Sequence, residues 1–552
     1  MDWQRIVLGL GIGVTLWLLV QEYSAFEAER RSGEPSIRDS LIVETIDEMP
    51  VVASDNSDSE LPQVSETDPA AVAAPVTSRL ISVVTDEHDI RIDPRGGDIV
   101  YAALREHLTE LDESGDDYVL LNNTSANIYV AMSGLVGRDG TDTSAGRPLF
   151  SSASDSYVMA EGDDTLVVNL EYSNHSINYT KQFVFTRNHY EVEVRYLIDN
   201  QSEASWRGNF YGQIKRDSHP PLVESSGVRP FLGAAITTND DKYRKFSFDD
   251  IEDESVKESL TGGWVAMVQH YFLSAWVPPQ DEVNQFSLRK AAGKDLYFLG
   301  FTSPVFEIAP GAKGQYTAKY FIGPKDQDAL EALSENLDMT VDYGWLWFLA
   351  KPFFLVLRWI HDLVGNWGWA IILFTVAIKA VLYPLSRASM RSMANMRKLG
   401  PEMQRLKELY GDDRQKMSQE MMGLYKKHKV NPAGGCLPML LQMPVFLALY
   451  WVLLESVEIR HAPWVLWIED LSSKDPLFIL PLFMGASMWF MQKMQPTPPD
   501  PMQAKVMQIM PIAFTFFFMI FPAGLVLYWT VNNLLSMLQQ YIVNKQIEAE
   551  GK

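Results

Sequence analysis

The chain has 552 residues, 47% of them hydrophobic, and carries 70 Asp and Glu against 47 Lys and Arg, a net charge of −23. At about 150 residues per domain the length predicts roughly three or four units, and the negative balance argues against a nucleic-acid binder working through bulk positive charge. A single cysteine, Cys436, excludes an internal disulfide framework, a CxxC redox pair and a cysteine zinc cluster. The charge is unevenly placed. Residues 345–552 hold 20 basic and 14 acidic side chains, leaving 27 basic and 56 acidic for residues 1–344. The two halves are therefore expected to face different surroundings.

Residues 6–20 form an apolar run, IVLGLGIGVTLWLLV, behind Arg5 and ahead of Glu22, Glu27 and Glu29. With Trp3 and Tyr23 extending it into the interfaces, residues 1–21 read as an uncleaved membrane anchor. A cleavable signal peptide, cut near Ala25 or Ala28, is the rival reading. Residues 22–78 are rich in Ser, Asp, Glu and Pro and poor in aromatics. They read as a disordered acidic tether.

From 79 to 325 the pattern has period two. Tyr190, Val192, Val194, Tyr196 and Ile198 alternate with Glu191, Glu193, Arg195 and Asp199; Ile177, Tyr179, Phe183 and Phe185 share a face, and residues 186–189 form the turn between. A long series of such runs predicts an all-β sandwich.

The remainder predicts helices. Residues 342–365 are aromatic-rich, with Lys351, Arg358, His361 and Asp362 near one stripe, as suits an amphipathic interfacial helix. Five apolar runs follow at 366–385, 435–456, 476–491, 505–521 and 523–543, each near spanning length and some short. A Pro-rich stretch lies in the 492–504 loop, and 544–552 is a short tail. Residues 386–432 hold eleven bases against five acids, which predicts a cytoplasmic loop. Alternate crossings then put both termini inside and the β domain outside, as in a Gram-negative inner membrane.

Loop 386–432 reads as two amphipathic helices, 388–410 and 414–429, with Gly400-Pro401 breaking the first. Met393, Met396, Leu399, Met403 and Leu406 form its apolar stripe, flanked by Arg397 and Lys398. One reading is an ordinary hairpin that buries its stripe in its own interface. The other is an adaptable Met-rich surface that meets apolar clients, with positive charge suited to anionic lipid or ribosomal RNA.

No GxxxxGK[ST], HExxH or GxSxG occurs, so no nucleotide-driven pump or metalloprotease is indicated. No enzyme activity, cofactor or metal is expected. The sharpest residue is Lys379, deep in an apolar run, where a charge costs about 2.5–3.5 kcal/mol on insertion scales. It either snorkels to the surface or lines a wet cavity. Thr375, one turn earlier, favours the cavity. Gln442, Tyr528 and Asn532 supply polar groups on other spans, for bundle-holding hydrogen bonds or for a groove. Trp529 suits an interfacial belt or the same groove. Cys436 reads as a small packing residue.

Four stretches carry a family resemblance: NPAGGCLPMLLQMPVFLALYWVL (431–453), FPAGLVLYW (521–529), GNWGWAIILFT (365–375) and GWVAMVQHYFLSAWVP (263–278). They closely resemble the bacterial YidC membrane-protein insertases, over nearly the whole chain. The resemblance implies a multi-domain membrane protein: an N-terminal transmembrane anchor, an extracytoplasmic β-supersandwich related to sugar mutarotases, and a five-helix membrane core with a cytoplasmic helical hairpin. It implies a hydrophilic groove closed to the periplasm, whose positive residue, often Arg in relatives, corresponds to Lys379. Thr375, Gln442 and Trp529 match further groove positions. Implied partners are nascent membrane proteins, the Sec translocon with its accessory subunits, ribosomes and membrane lipids, with no small-molecule substrate. The alternatives are a small-anion transporter centred on Lys379, for which no internal repeat is evident, and a membrane-anchored sugar-binding or sugar-processing enzyme acting through the β domain.

Overall fold

The computed structural model describes residues 79–111, 115–221, 230–410, 413–428, 437–494 and 501–550. The expected anchor (1–21), the tether (22–78) and Cys436 lie outside the described residues.

The period-two region folds into an eleven-stranded and a nine-stranded sheet. The paired strands predicted around residues 186–189 are Ile177–Thr186 and Glu191–Asn200, antiparallel, with Tyr196 opposite Lys181. Asn188 closes the turn at φ 57°, a left-handed conformation that Asn tolerates. Val192, Val194, Tyr196 and Ile198 are buried, while their alternates are only partly so. Tyr190 precedes the strand and is half-buried. The core between the sheets is apolar and aromatic, with Phe210 stacked on Tyr316 at 4.8 Å.

Lys181 occupies an inward position of its strand and is fully buried. Its Nζ donates to the Gly96 and Ser133 carbonyls, both at 2.9 Å. Beside it, buried Arg147 pairs with Asp98 and, at 2.8 Å, with Asp142, which also accepts from the Tyr211 hydroxyl at 2.7 Å.

Strands Val265–Val268 and Phe272–Val277 are buried on both faces. Such strands read as continuous apolar runs rather than alternations, which explains the apolar stretch 263–278. One face joins the sandwich core. The other supports Trp264, Ala266, Val268, Leu273 and Ala275 against Leu330, Leu333 and Leu337.

The helices are α1 (Phe248–Asp253), α2 (Gln327–Leu333), α3 (Trp347–Val364), α4 (Trp367–Val381), α5 (Tyr383–Lys398), α6 (Gly400–Tyr410), α7 (Arg414–Lys427), α8 (Leu437–Glu455), α9 (Ile479–Lys493), α10 (Pro501–Phe518) and α11 (Ala523–Glu550). The polar stripe of α3 is docked rather than free. Lys351 pairs with Asp338 at 2.8 Å and Arg358 with Asp328 at 2.6 Å. Beside these pairs Trp347, Phe348, Leu355 and Trp359 are exposed, while Phe353, Leu357 and Ile360 face the interior. The β domain and the helices meet through a buried Lys325–Glu455 pair at 2.8 Å, through His270 Nε2 donating to the Leu454 carbonyl at 2.8 Å, and through Lys245 with Asp342.

Among the described residues no single helix is long and apolar enough to cross a membrane. The run expected at 366–385 instead ends at Val381 and turns by 66° into α5; the pair together meets the requirement. Pro384 explains the break, since it lacks an N–H and restricts Tyr383 before it. Gln442–Glu455 and Ala504–Phe518 are shorter apolar segments. The hairpin breaks at Leu399, between α5 and α6, where Gly400-Pro401 predicted it.

Candidate functional site

Helix α4 starts at an Asn366 cap whose side chain accepts from the Trp369 N–H at 3.1 Å. Thirteen residues on, near its last turn, stands Lys379. The side chain is mostly buried, at 9% exposure. Its Nζ donates to Ser536 Oγ of α11 at 2.8 Å and to Gln442 Oε1 of α8 at 3.4 Å. Gln442 donates in turn to Asn532 Oδ1, and Ser536 Oγ donates to the Asn532 carbonyl at 2.7 Å. Polar groups of α8 and α11 therefore converge on one cation carried by α4.

A cavity of about 300 Å³ opens beside this cluster. Lys379, Gln442, Trp529 and Asn532 line it, together with Ser386, Ser389, Ser536 and Gln540. Methionines of four helices complete the wall, among them Met390, Met443, Met488 and Met507. No Asp or Glu is among the described lining residues. Among the described residues the Lys379 charge is thus met by neutral dipoles alone. The Trp529 indole N–H is buried without a partner among the described residues, its ring held edge-on against Phe446 at 4.7 Å.

Thr375 and Tyr528 sit one layer away, lining a much smaller recess that shares Lys379 and Gln442. The Thr375 hydroxyl donates to the Ile371 carbonyl at 2.6 Å, which satisfies it within its own helix. All six predicted groove residues are therefore gathered, four on the cavity and two behind it. Reading the sequence missed Ser536 and Gln540. They continue the four-residue spacing of Tyr528 and Asn532 along α11, and that spacing was the available signal. Ser386 and Ser389 were missed because the bend after α4 swings α5 back over the cavity.

The predicted hairpin residues divide. Met393 lines the cavity. Leu399 and Met403 are buried against Leu424 of α7, with Met396 and Leu406 packed on them, and the Tyr425 hydroxyl meets Met403 Sδ at 3.3 Å. Most of the stripe therefore closes on itself, leaving Leu409 and Met422 exposed. Lys398 is exposed, and the Arg397 side chain lies outside the described residues.

Comparison with known proteins follows the same division of the chain. The family model described as "YidC periplasmic domain" matches residues 80–356, and that described as "60Kd inner membrane protein" matches residues 359–550. A Cellvibrio japonicus protein named "Membrane protein insertase YidC" is 50% identical over 99% of this chain and 99% of its own length. One of the same name from Stutzerimonas stutzeri is 49% identical over 100% of both chains. A solved structure, "Active YidC insertase crystal structure with the first transmembrane domain resolved", is 20% identical, covers 84% of this chain and 93% of that chain, and has a TM-score of 0.38.

Proposed function

The chain belongs to the YidC family of inner-membrane protein insertases, and from that premise we propose that Lys379 and the cavity beside it form the path by which a client's polar tail enters the membrane. One observation carries this reading. Among the described residues the cavity holds a single cation, no carboxylate, and about 300 Å³ of space. A client carboxylate at 4 Å from that ammonium gains about 4 kcal/mol at an effective dielectric near 20. That is enough to offset much of the cost of bringing a charge to this depth.

The client's apolar span then slides out along the lipid-facing side. Its own partitioning supplies the drive, about 0.3–0.6 kcal/mol per Leu, Ile, Phe or Val. No nucleotide is consumed in this scheme. The short apolar helices favour a locally thinned bilayer, which shortens the crossing. The basic 386–432 segment lies in the cytoplasm and the β domain in the periplasm, by the Lys and Arg rule. There Met393 meets the incoming segment at the cavity wall, and the hairpin opens to offer Leu399 and Met403. Exposed Lys398 and its basic neighbours suit the ribosome and anionic lipid. The Sec translocon is the expected partner for clients with large outside domains.

The test is reconstitution into liposomes with a single-span client bearing an acidic tail, scored by protease protection. Lys379→Arg should insert the client and Lys379→Ala should not. Equal insertion by Lys379→Ala would reduce Lys379 to a structural residue.

A further inference from the structure

A second cavity, of about 400 Å³, lies where the β domain meets the loop between α8 and α9. Its central feature is Arg460. The guanidinium lies over the Tyr118 ring at 5.6 Å and the Phe272 ring at 5.4 Å. One of its nitrogens donates to the Leu108 and Thr109 carbonyls at 2.6 and 3.1 Å. Among the described residues no carboxylate lies within ion-pair distance of it. Asp470, on the same wall, is already spent: it accepts from the His461 and Ser472 N–H groups and from the Ser472 and Ser473 hydroxyls. Burial pushes the Arg460 pKa down, so the site bears the cost of holding this charge.

The rim carries both signs. Lys474, Glu110 and Glu469 line the cavity, and none has an ion pair among the described residues. Among the described residues Arg460 and Lys474 thus share one space with Glu110, Glu469 and the already hydrogen-bonded Asp470, with no ion pair between the two signs. A purely anionic ligand would meet the two glutamates, and a purely cationic one would meet Arg460. A ligand with both charges satisfies the wall. The adjoining loop also exposes large apolar side chains. Leu466 is 84% exposed at φ 58°, and Leu477 and Phe478 are exposed a few residues on. Apolar residues presented this way at the end of membrane helices belong in lipid.

We propose that this cavity seats the headgroup of a zwitterionic phospholipid of the outer leaflet, its phosphate against Arg460 and Lys474 and its ammonium toward Glu110 and Glu469. The inference rests on the membrane-core reading above, which places this loop at the outer surface. The headgroup would act as a wedge that holds the β domain at a fixed height over the helices.

Native mass spectrometry of the full chain, loaded with equal amounts of phosphatidylethanolamine, phosphatidylcholine and phosphatidylglycerol, tests it. One zwitterionic lipid should be retained about tenfold over phosphatidylglycerol, the worth of one charge-assisted hydrogen bond. Arg460→Gln should abolish the preference. Lys474→Gln and Glu469→Gln change only rim side chains, so they report even where Arg460→Gln fails to fold; each should lower retention. Unchanged retention in both rim variants overturns the proposal. So does preference for phosphatidylglycerol, or displacement of the lipid by an acidic client peptide. Displacement by soluble glycerophosphoethanolamine at equal concentration would assign the site to a free headgroup instead of a lipid, and also overturns it. Client insertion is measured on the same samples. Insertion without lipid preference sinks only this inference, whereas failure of wild type to insert sinks the insertase scheme.

Discussion

Two buried lysines mark the two halves of this molecule, and they are buried for opposite reasons. Lys181, in the β domain, lies in a closed network. Two carbonyls take its protons, and Arg147 beside it is paired with Asp98 and Asp142. No room is left there: a Cβ at Gly134 would strike Asp142, and one at Gly97 would strike the Lys181 stem. Burial brings the Lys181 ammonium down to about 7 against the pull of Asp98. Lys379, among the helices, has among the described residues only a serine hydroxyl and a glutamine amide, and open space at its side. A charge that holds a fold together has its partners built in. In the proposed scheme Lys379 lacks such a partner until the client brings it.

The largest expected effect breaks the closed network. Arg147→Met leaves the Asp142 carboxylate buried without its cation. Removing one member of such a pair costs about 3–5 kcal/mol. Urea unfolding of the full chain, followed by hydrogen exchange in strands Asp98–Leu108 and Asn127–Val136, should show that loss. A change below about 1 kcal/mol would mean that water reaches the network and the contrast with Lys379 fails.

Next comes acid. His88 is buried and His107 and His270 are partly so, and loss of water around the rings lowers them to about 4, 4 and 3. Unfolded histidine titrates near 6.5. Between these values the unfolded chain binds more protons, so stability falls as pH drops below 6.5. At pH 5.5 each histidine should cost about 1 kcal/mol. Because His270 donates to Leu454, the joint between β domain and helices should loosen with it. Melting curves at pH 7.5 and 5.5 would expose this. An unchanged midpoint would contradict the burial of these rings.

A charge swap sharpens the other side of the comparison. Lys379→Glu should slow insertion of an acidic-tailed client about tenfold, or roughly 1.4 kcal/mol. Replacing the tail's acids with lysines should recover most of that loss. Failure of the swapped client to recover would show that the cavity needs a lysine for its shape rather than its sign.

Much of this contrast was legible before any coordinates. Alternation from Val192 to Ile198 marked a strand, and Tyr179 and Phe183 marked the inward face of its neighbour, on which the same period puts Lys181, a position the sequence reading passed over. Its network was hidden because Asp98, Asp142 and Arg147 come from distant strands and loops, which periodicity does not pair. Lys379 stood out because an apolar run surrounds it, and Thr375, Gln442 and Asn532 were visible as polar interruptions. Ser386 and Ser389 were not, since their place depends on the 66° bend at Leu382. Pro384 announces a break there, but nothing local sets its angle. The junction cavity was invisible for the same reason: Tyr118 and Arg460 are more than three hundred residues apart.

The smallest effect concerns how a client reaches Lys379. Leu399 and Met403 close the hairpin, yet Met393, ten residues before Met403 on the preceding helix, faces the cavity. The break at Leu399 lets α6 fold onto α7 while α5 stays on the cavity wall. Gly400-Pro401 replaced by Ala-Ala would favour one continuous helix, since alanine is the better helix former and proline at this point sets a first turn. Continuity would carry Met403 off Leu424. The stability change should stay near 1 kcal/mol, because the cluster is small and half-exposed methionines repack. Insertion should fall about twofold, with crosslinks from the client moving from Met393 toward the freed stripe. Unchanged insertion and unchanged crosslinks would remove the hairpin from client capture and leave the cavity, with its single cation, as the first point of contact.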